Sequence, residues 1–322
     1  MTAPFFHDVA EGPATAHAVW LTTVDGVRLR AGIWPAPDTA KGTVFLLTGR
    51  TEYIEKYGRA AADLAQRGYG MVSIDWRGQG LSARALPDRM VGHVRDFAEY
   101  QNDLNALIDL ARSQDLPRPW HLMAHSMGGC IALRQLMTAH PFQSAAFSAP
   151  MWGILMAAWM RPFAVALSTA SRWFNFDNRY APGTKPRTYV LEQGFAGNTL
   201  TSDPQMWDYM RRQALAHPEL TLGGPSLGWL NAALTECQDL AQRPAPDLPV
   251  ITVLGTAEKI VDLGPVHARM AAWPKGKLSL YTGAEHEVLM ERPATRTRFF
   301  DQAADLFDTR RCKDLPKAAP SL

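Results

Sequence analysis

The feature that most restricts the fold of this chain is the alternation of short apolar runs with segments of helical spacing. The run at 43–47 is apolar after its first residue, which is typical of a strand buried on both faces of a parallel sheet. Similar strands are predicted at 70–75, 119–124, 145–148, 250–255 and 277–281, and a hairpin at 19–30 precedes them. Helices are predicted at 54–67, 97–113, 128–138 and 299–307. Because this alternation favours parallel crossovers, the sequence predicts an α/β fold.

The alternation breaks between Pro150 and about Leu248. Five of the ten tryptophans lie in this stretch, together with many helix formers. We interpret it as a mostly helical cap at 151–248, inserted into an α/β core at 1–150 and 249–322. Within the cap, 151–170 is almost entirely apolar, but Arg161 lies in its middle, and a charge at bilayer depth costs about 2.5–3.5 kcal/mol. We therefore expect a helical region with an apolar face rather than a membrane span.

The balance of charges excludes one class of partner. Lys and Arg total 33 against 31 Asp and Glu, a net charge of +2, so nothing indicates the concentrated basic face that nucleic-acid binding needs. The three cysteines, Cys130, Cys237 and Cys312, show neither a disulfide framework nor zinc spacing. Since the N-terminus has no signal-like apolar run, we expect a cytoplasmic protein.

Residues 124–129, Ala-His-Ser-Met-Gly-Gly, lie where a predicted buried strand meets a predicted helix. This is the setting of a nucleophile elbow, G-x-S-x-G, with Ala124 in the first glycine position. The tight turn needs small residues on either side of Ser126, whose φ is expected to be positive and strained. At the helix N-terminus the dipole would favour developing negative charge. The alternative is a glycine-rich helix start with a serine cap; the flanking strand and helix favour a nucleophile.

A serine hydroxyl does not ionise near neutral pH, so it needs a histidine base and an acid that orients the histidine. His286 follows the last predicted strand and would therefore lie at the carboxyl edge of the sheet, as Ser126 does. For the acid, both Glu258 and Asp262 follow the preceding strand. Glu258 comes sooner and is preferred, because Asp262 has the pattern of a helix N-cap, with Pro265 in the first turn.

An oxyanion hole needs two backbone N–H donors. The first would come from Met127, directly after the nucleophile, and the second from the loop that follows the strand at 43–47. Arg50 is the expected donor in that loop. Its side chain could meet a phosphate group of a substrate, or it could pair with a carboxylate such as Glu52.

With these residues placed, the chain resembles the lysophospholipase and monoacylglycerol lipase family of α/β-hydrolases over nearly its whole length. The motifs that carry the resemblance are Asp-Trp-Arg-Gly-Gln-Gly-Leu-Ser at 75–82, the elbow, the acid loop at 255–262 and His286. The segment 49–57 and two cap segments, 200–203 and 224–229, are most similar to bacterial lysophospholipases. There are two departures: Thr48 replaces a His before the loop glycine, and Glu258 stands where the family has Asp.

The resemblance implies an α/β-hydrolase fold and hydrolysis of carboxylic esters through an acyl-enzyme on Ser126, with no cofactor and no metal. Small-molecule esters or monoacyl lipids would be the substrates, and the cap could contact a membrane surface transiently. The candidate substrate-binding residues are Gly49, Glu52, Trp152 and Trp229. Trp152 and its Met-rich neighbours could line an acyl tunnel, or they could simply bury the apolar face of the cap. The motif at 75–82 is interpreted as structural, a turn in which Arg77 bonds to backbone.

Two rival functions stay open at this point. A peptidase of the same fold, removing N-terminal residues, would need an acidic anchor for the substrate amine in the cap, such as Asp203 or Asp208. A ligand-binding receptor could keep the fold with little turnover, although the complete set of Ser126, Glu258 and His286 argues against it.

Overall fold

The computed structural model describes residues 1–309. Residues 310–322, which include Cys312 and the end of the predicted core, lie outside the described part of the chain. Within 1–309, nine strands form one sheet in the order β1-β2-β3-β5-β4-β6-β7-β8-β9. The strands are β1 Thr2–Ala3, β2 His17–Thr22, β3 Arg28–Trp34, β4 Gly42–Leu47, β5 Tyr69–Asp75, β6 Trp120–His125, β7 Phe142–Ser148, β8 Val250–Gly255 and β9 Gly276–Tyr281.

The sheet is antiparallel at one end and parallel over the rest. β1, β2, β3 and β5 pair antiparallel, whereas β5, β4 and β6 to β9 pair parallel. The carboxyl ends of the parallel strands therefore lie at one edge of the sheet, where α/β proteins place their ligand sites. The mixed sheet with a parallel majority agrees with the predicted α/β class.

Ten α-helices connect or flank the described strands. They are α1 His7–Ala10, α2 Gly58–Gln66, α3 Glu99–Ser113, α4 Met127–Leu136, α5 Met160–Trp173, α6 Tyr189–Glu192, α7 Pro204–Ala216, α8 Leu227–Ala241, α9 Leu263–Ala271 and α10 Pro293–Asp308. Three 3-10 turns lie at Ile54–Tyr57, Pro218–Leu220 and Val288–Met290. Helices α5 to α8 all lie between β7 and β8, which is the stretch where the sequence pattern loses its alternation.

Burial on both faces explains why the parallel strands are continuous apolar runs. In β4, Val44 and Leu46 pack in one hydrophobic cluster, and Phe45 and Leu47 pack in a second cluster on the other face. Because successive side chains of a strand point to opposite faces, most positions of such a strand are apolar. β6 is likewise buried along its whole length, and its last residues begin the elbow.

No helix in the described residues is long and apolar enough to cross a membrane. The apolar stretch at 151–170 instead forms an irregular segment followed by the first part of α5. The structure departs from the sequence prediction at smaller points. The helix predicted at 54–67 begins as a 3-10 turn, β7 starts earlier than predicted, and the two-residue β1 was not predicted.

Candidate active site

Ser126 lies in a strained turn between β6 and α4. Its backbone has φ 50° and ψ −118°, the positive φ predicted for an elbow. The space behind the turn explains the small residues around it. A Cβ at Gly128 would lie 2.3 Å from the carbonyl oxygen of Leu47, and Ala124 is fully buried. The Ser126 N–H donates to the carbonyl of Ser148 at 3.1 Å, which fixes the turn against β7.

His286 and Glu258 form a buried pair. The Nδ1 of His286 donates to Oε2 of Glu258 at 2.7 Å, and Oε1 of that carboxylate accepts from the backbone N–H groups of Ile260, at 2.6 Å, and Val261, at 3.2 Å. Burial opposes ionisation of Glu258, but these hydrogen bonds and the His286 ring outweigh it and hold its pKa below the ordinary value. The carboxylate is therefore kept charged and aimed at the imidazole.

Asp262, the alternative acid, has a different role. Its carboxylate accepts from the N–H of Gly264 at 3.0 Å and caps α9, as its sequence pattern indicates. Its other oxygen lies 3.6 Å from the Arg161 guanidinium. Between the two candidates, the structure pairs His286 with Glu258.

Ser126 and His286 line the same cavity, which has a volume of about 330 Å³. Because Nδ1 of the imidazole is engaged by Glu258, Nε2 is the nitrogen left for the serine. Among the described residues no hydrogen bond joins the Ser126 hydroxyl to this ring. Such contacts are commonly long before substrate binds and tighten in the complex.

The loop after β4 is held at both sides of Arg50. The N–H of Gly49 donates to Oε2 of Glu52. The Gln79 side chain donates to the Gly49 carbonyl at 3.3 Å and accepts from the Thr51 N–H at 2.6 Å. The Arg50 N–H makes no hydrogen bond within residues 1–309, so it is available, as the predicted oxyanion donor should be. Met127 is the first residue of α4, where the backbone N–H has no partner within the helix.

The Arg50 side chain does not pair with Glu52, so that expectation was wrong. Its guanidinium donates to the carbonyl of Gly223 at 3.0 Å and lies over the ring of Trp229, 5.5 Å from the centroid. Burial lowers the pKa of Arg50 to about 10. Neither Gly223 nor Trp229 lines the cavity of Ser126. The contacts of this side chain therefore attach the loop after β4 to the first turn of α8 and to the segment before that helix.

Glu52 instead belongs to a buried charged cluster that the sequence did not predict. Lys56 Nζ lies 2.7 Å from Oε1 of Glu52 and 2.6 Å from Oε2 of Glu287. The ring of His125 lies beside the cluster, with Nε2 3.7 Å from Glu52 and its centroid 4.7 Å from that of His286. All four side chains line the cavity. The one sequence signal was the Glu52/Lys56 spacing of the kind that pairs side chains on a helix, although Glu52 itself precedes the 3-10 turn at Ile54–Tyr57.

The cluster contains three groups of the kind that bind metals, Glu52, His125 and Glu287, within 4.8 Å of one another. The Lys56 ammonium, however, is paired with both carboxylates. A protonated lysine thus supplies the positive charge there, and the donor set as arranged does not fit a metal ion.

The four candidate substrate-binding residues do not all lie at the cavity. Glu52 lines the cavity, whereas Gly49, Trp152 and Trp229 do not. The Trp152 indole donates to the Gly129 carbonyl at 3.1 Å and stacks on Trp273, so this side chain packs the core under α4.

Asp203, Asp208 and Arg77, the other polar residues singled out in the sequence, make contacts that stabilise the fold. Asp203 caps α7 and Asp208 pairs with Arg212, and neither lines the cavity. Arg77 binds carboxylates rather than backbone: it pairs with Asp103 and, at 2.8 Å each, with Asp25 and Glu99. The interpretation of the 75–82 motif as structural thus agrees with its contacts, but the partner type was wrong.

Comparison with known proteins gives the class and the family. A family model described as "Serine aminopeptidase, S33" matches residues 38–293. Lysophospholipase L2 of Escherichia coli is 32% identical over 279 residues, covering 82% of this chain and 80% of that protein. Probable lysophospholipase L2 of Haemophilus influenzae is 29% identical, covering 81% and 82%. A solved structure of monoglyceride lipase from Saccharomyces cerevisiae has a TM-score of 0.72 at 19% identity, covering 96% of this chain and 99% of that chain.

The fold and these matches define an α/β-hydrolase and a serine hydrolase. Within that class the chain belongs to the serine aminopeptidase S33 family, and the relatives it is similar to include lysophospholipases. The predictions of fold, enzyme class and family resemblance are confirmed.

Proposed function

We propose that this chain hydrolyses the carboxylic ester of monoacyl lipids, lysophospholipids above all, through an acyl-enzyme on Ser126. The observation that carries the proposal is the buried Glu258–His286 pair at the wall of the cavity that Ser126 lines. Support for the lipid class comes from the relatives. They are named lysophospholipase L2 or probable lysophospholipase L2, and the match covers about four fifths of their length.

The residues would act in the following order. Nε2 of His286 takes the Ser126 proton as the hydroxyl oxygen attacks the ester carbonyl, and Glu258 stabilises the imidazolium that forms. The N–H groups of Met127 and Arg50 bind the oxyanion. Collapse of the intermediate breaks the bond to the alcohol oxygen, which receives the proton from His286. Water, deprotonated by His286, then attacks the acyl-enzyme and releases the fatty acid.

The lining of the cavity suits an ester with one polar and one apolar part. Its polar lining residues include the charged cluster, Tyr53 and several threonines. Its apolar lining residues are Val190, Leu200, Met210, Ala214 and Ile260. A monoacyl lipid presents a hydrophilic alcohol and a hydrocarbon chain, and a lining with both kinds of residue suits such a substrate. In the proposed domain division most of these apolar residues belong to the cap at 151–248.

A substrate panel tests this function. Wild type and Ser126→Ala are assayed on a lysophosphatidyl ester, a monoacylglycerol of the same chain length and an aminoacyl anilide. We expect wild type to hydrolyse both esters, the lysophosphatidyl ester with the higher kcat/KM, and Ser126→Ala to be inactive. Preference for the anilide would replace the proposal with an aminopeptidase, and equal activity of Ser126→Ala would exclude Ser126 as nucleophile.

We also infer that the cap contacts lipid surfaces transiently. Around α5 the aromatic side chains of Trp159, Phe163, Trp173 and Phe174 are 69–79% exposed. Exposed aromatic and aliphatic groups on one helix are typical of interfacial segments, and a membrane lipid substrate must be reached at such an interface. Trp159→Ser with Phe163→Ser should weaken co-sedimentation with lysophospholipid-containing vesicles but leave hydrolysis of a soluble short-chain ester unchanged. Unchanged co-sedimentation would reject the contact.

A cytoplasmic location is part of the same proposal. Its structural support is that Cys130 and Cys237 are free and buried. Free thiols are usual in a reducing compartment. Fractionation of the producing cells tests this location. Activity recovered from the periplasmic or secreted fraction would contradict it.

A further inference from the structure

A buried chain of charges joins two loops of the active site. Glu52 belongs to the loop after β4 that carries Arg50, and Glu287 directly follows His286. Lys56, in the 3-10 turn before α2, lies between them and contacts both carboxylates at 2.6–2.7 Å. The three side chains are each 5–6% exposed.

Glu52 connects this chain to the backbone of the oxyanion loop. One carboxylate oxygen pairs with Lys56, and the other accepts from the Gly49 N–H and from the Tyr57 hydroxyl. Gln79 holds the carbonyl of the same glycine. Because a peptide unit is planar, fixing the Gly49 carbonyl also fixes the direction of the Arg50 N–H.

A contribution to stability does not by itself explain why these three charged side chains are buried together. Removing two carboxylates and an ammonium from water is costly, and buried ion pairs often contribute no more than well-packed apolar residues of similar volume. Burial opposes the charge on Glu52, yet Lys56 and His125 outweigh it and lower its pKa to about 2. The ammonium likewise keeps its charge, since its two carboxylate partners raise the pKa of Lys56 against the effect of burial. At Glu287 burial outweighs the effect of Lys56 and raises the pKa, so the charge on this carboxylate depends on the ammonium beside it.

We propose that Lys56 is a positioning residue that sets the oxyanion donor of Arg50 relative to the base His286, acting through Glu52 on one side and Glu287 on the other. This inference rests on the proposed function. The inference goes beyond that function because Lys56 takes part in no step of the reaction. Without Lys56 the two loops keep their own contacts but lose the direct tie between them.

The kinetic signature follows from when the oxyanion exists. The charge on the carbonyl oxygen develops in the transition state, so a displaced donor lowers kcat and leaves ground-state binding nearly unchanged. A lysine that bound the substrate directly would instead raise KM. The ratio of the two effects therefore separates positioning from substrate contact.

The test uses the double variant Lys56→Met with Glu287→Gln, which removes one charge of each sign and leaves the net charge of the cluster unchanged. Its matched control is Lys41→Met with Asp308→Asn, which breaks an ion pair of 2.8 Å away from the cavity. Hydrolysis of a soluble nitrophenyl ester gives kcat and KM, and an alkyl boronic acid serves as a tetrahedral analogue. We expect kcat to fall roughly 10- to 100-fold, with KM changed by less than about threefold. The inhibition constant of the boronic acid should rise in parallel with the loss in kcat.

Two further variants keep the test decisive. Lys56→Arg, which restores the charge, should recover part of the lost kcat. Glu287→Gln alone keeps the Lys56–Glu52 pair and should show a smaller loss, again in kcat; it replaces the double variant if that protein does not unfold cooperatively. A folded variant with wild-type kcat, or a loss confined to KM, would overturn the positioning role. Wild-type protein that hydrolyses no ester would instead overturn the proposed function.

Discussion

The imidazole of His286 lies 2.7 Å from the carboxylate of Glu258, and that carboxylate is itself held by two backbone N–H groups of its own loop. The glutamate thus reaches the ring although it is one methylene longer than the aspartate that the family resemblance implies at this position. Backbone N–H groups of the loop after β8 satisfy Oε1 of the carboxylate, and His286 satisfies Oε2. Glu258 is therefore fixed before any substrate binds.

The first prediction concerns this acid. Glu258→Ala should lower kcat by about 10²–10⁴, because the imidazole loses the group that orients it and stabilises its charged form. Asp262→Ala removes a helix cap and should cost about 0.5–2 kcal/mol of stability with activity retained. Steady-state hydrolysis of a soluble ester and thermal unfolding of both variants check this. A larger loss of kcat in Asp262→Ala would transfer the role to Asp262.

The second prediction concerns the strain at the elbow. A non-glycine residue in such a region costs about 1–3 kcal/mol, whereas glycine costs about 0.5–1 kcal/mol through its flexible unfolded state. Relief of strain at φ 50° is the larger effect, so Ser126→Gly should be more stable than Ser126→Ala. Melting temperatures of these two inactive variants decide the point. A lower melting temperature for Ser126→Gly would show that the turn is not strained.

The third prediction concerns Gln79, whose amide holds the loop on both sides of Arg50. Gln79→Leu should lower kcat by roughly tenfold or more, because the Arg50 N–H loses its fixed direction. Gln101→Leu is the matched control: Gln101 lies on α3, and the substitution removes its hydrogen bond to the Ile131 carbonyl of α4, outside the cavity. Equal kcat for the two variants would mean that Gln79 does not position the loop.

The core strands and the different contacts of Glu258 and Asp262 could be predicted from the sequence because their patterns are local. Strands buried on both faces are mostly apolar, so β4 and β8 stand out, and β8 has the predicted bounds. The elbow needs small residues at fixed positions, as the contact behind Gly128 shows. Asp262 was separated from Glu258 by its capping pattern and by its greater distance from the preceding strand.

What could not be predicted depends on contacts between residues far apart in the chain. Lys56 and Glu287 meet only because the fold brings the loops after β4 and β9 to one edge of the sheet. Arg50 binds a carbonyl and an indole face rather than the nearby Glu52, since Lys56 takes that carboxylate. Trp152 is apolar and close to the elbow in sequence, but its N–H binds Gly129 and its ring packs in the core. Composition does not distinguish a packed tryptophan from one that lines a cavity.

The fourth prediction concerns stability in acid. Burial lowers the pKa of His121 and of His125 to about 3, whereas a histidine in the unfolded chain titrates near 6.5. Between these values the unfolded state binds protons that the folded state does not. The free energy of unfolding should therefore fall as the pH drops from about 6.5 toward 3, by up to about 1.4 kcal/mol per pH unit for each histidine.

Substitution of His121 isolates one of the two protons. This ring stacks on Phe307 and has no role in the cavity, so His121→Phe removes a titrating group outside the active site. Urea unfolding across the same pH range should show a slope reduced by about one proton. An unchanged slope would mean that His121 is protonated in the folded protein.

Labelling of the protein by a fluorophosphonate, followed by identification of the modified peptide by mass spectrometry, tests the central assignment most directly. The reagent reacts only with a serine whose proton is removed by an adjacent base. The geometry predicts a single modification at Ser126, absent in Ser126→Ala and strongly slowed in His286→Ala. Wild-type protein that stays unlabelled, or a label on a different serine, would contradict the Ser126–His286–Glu258 site.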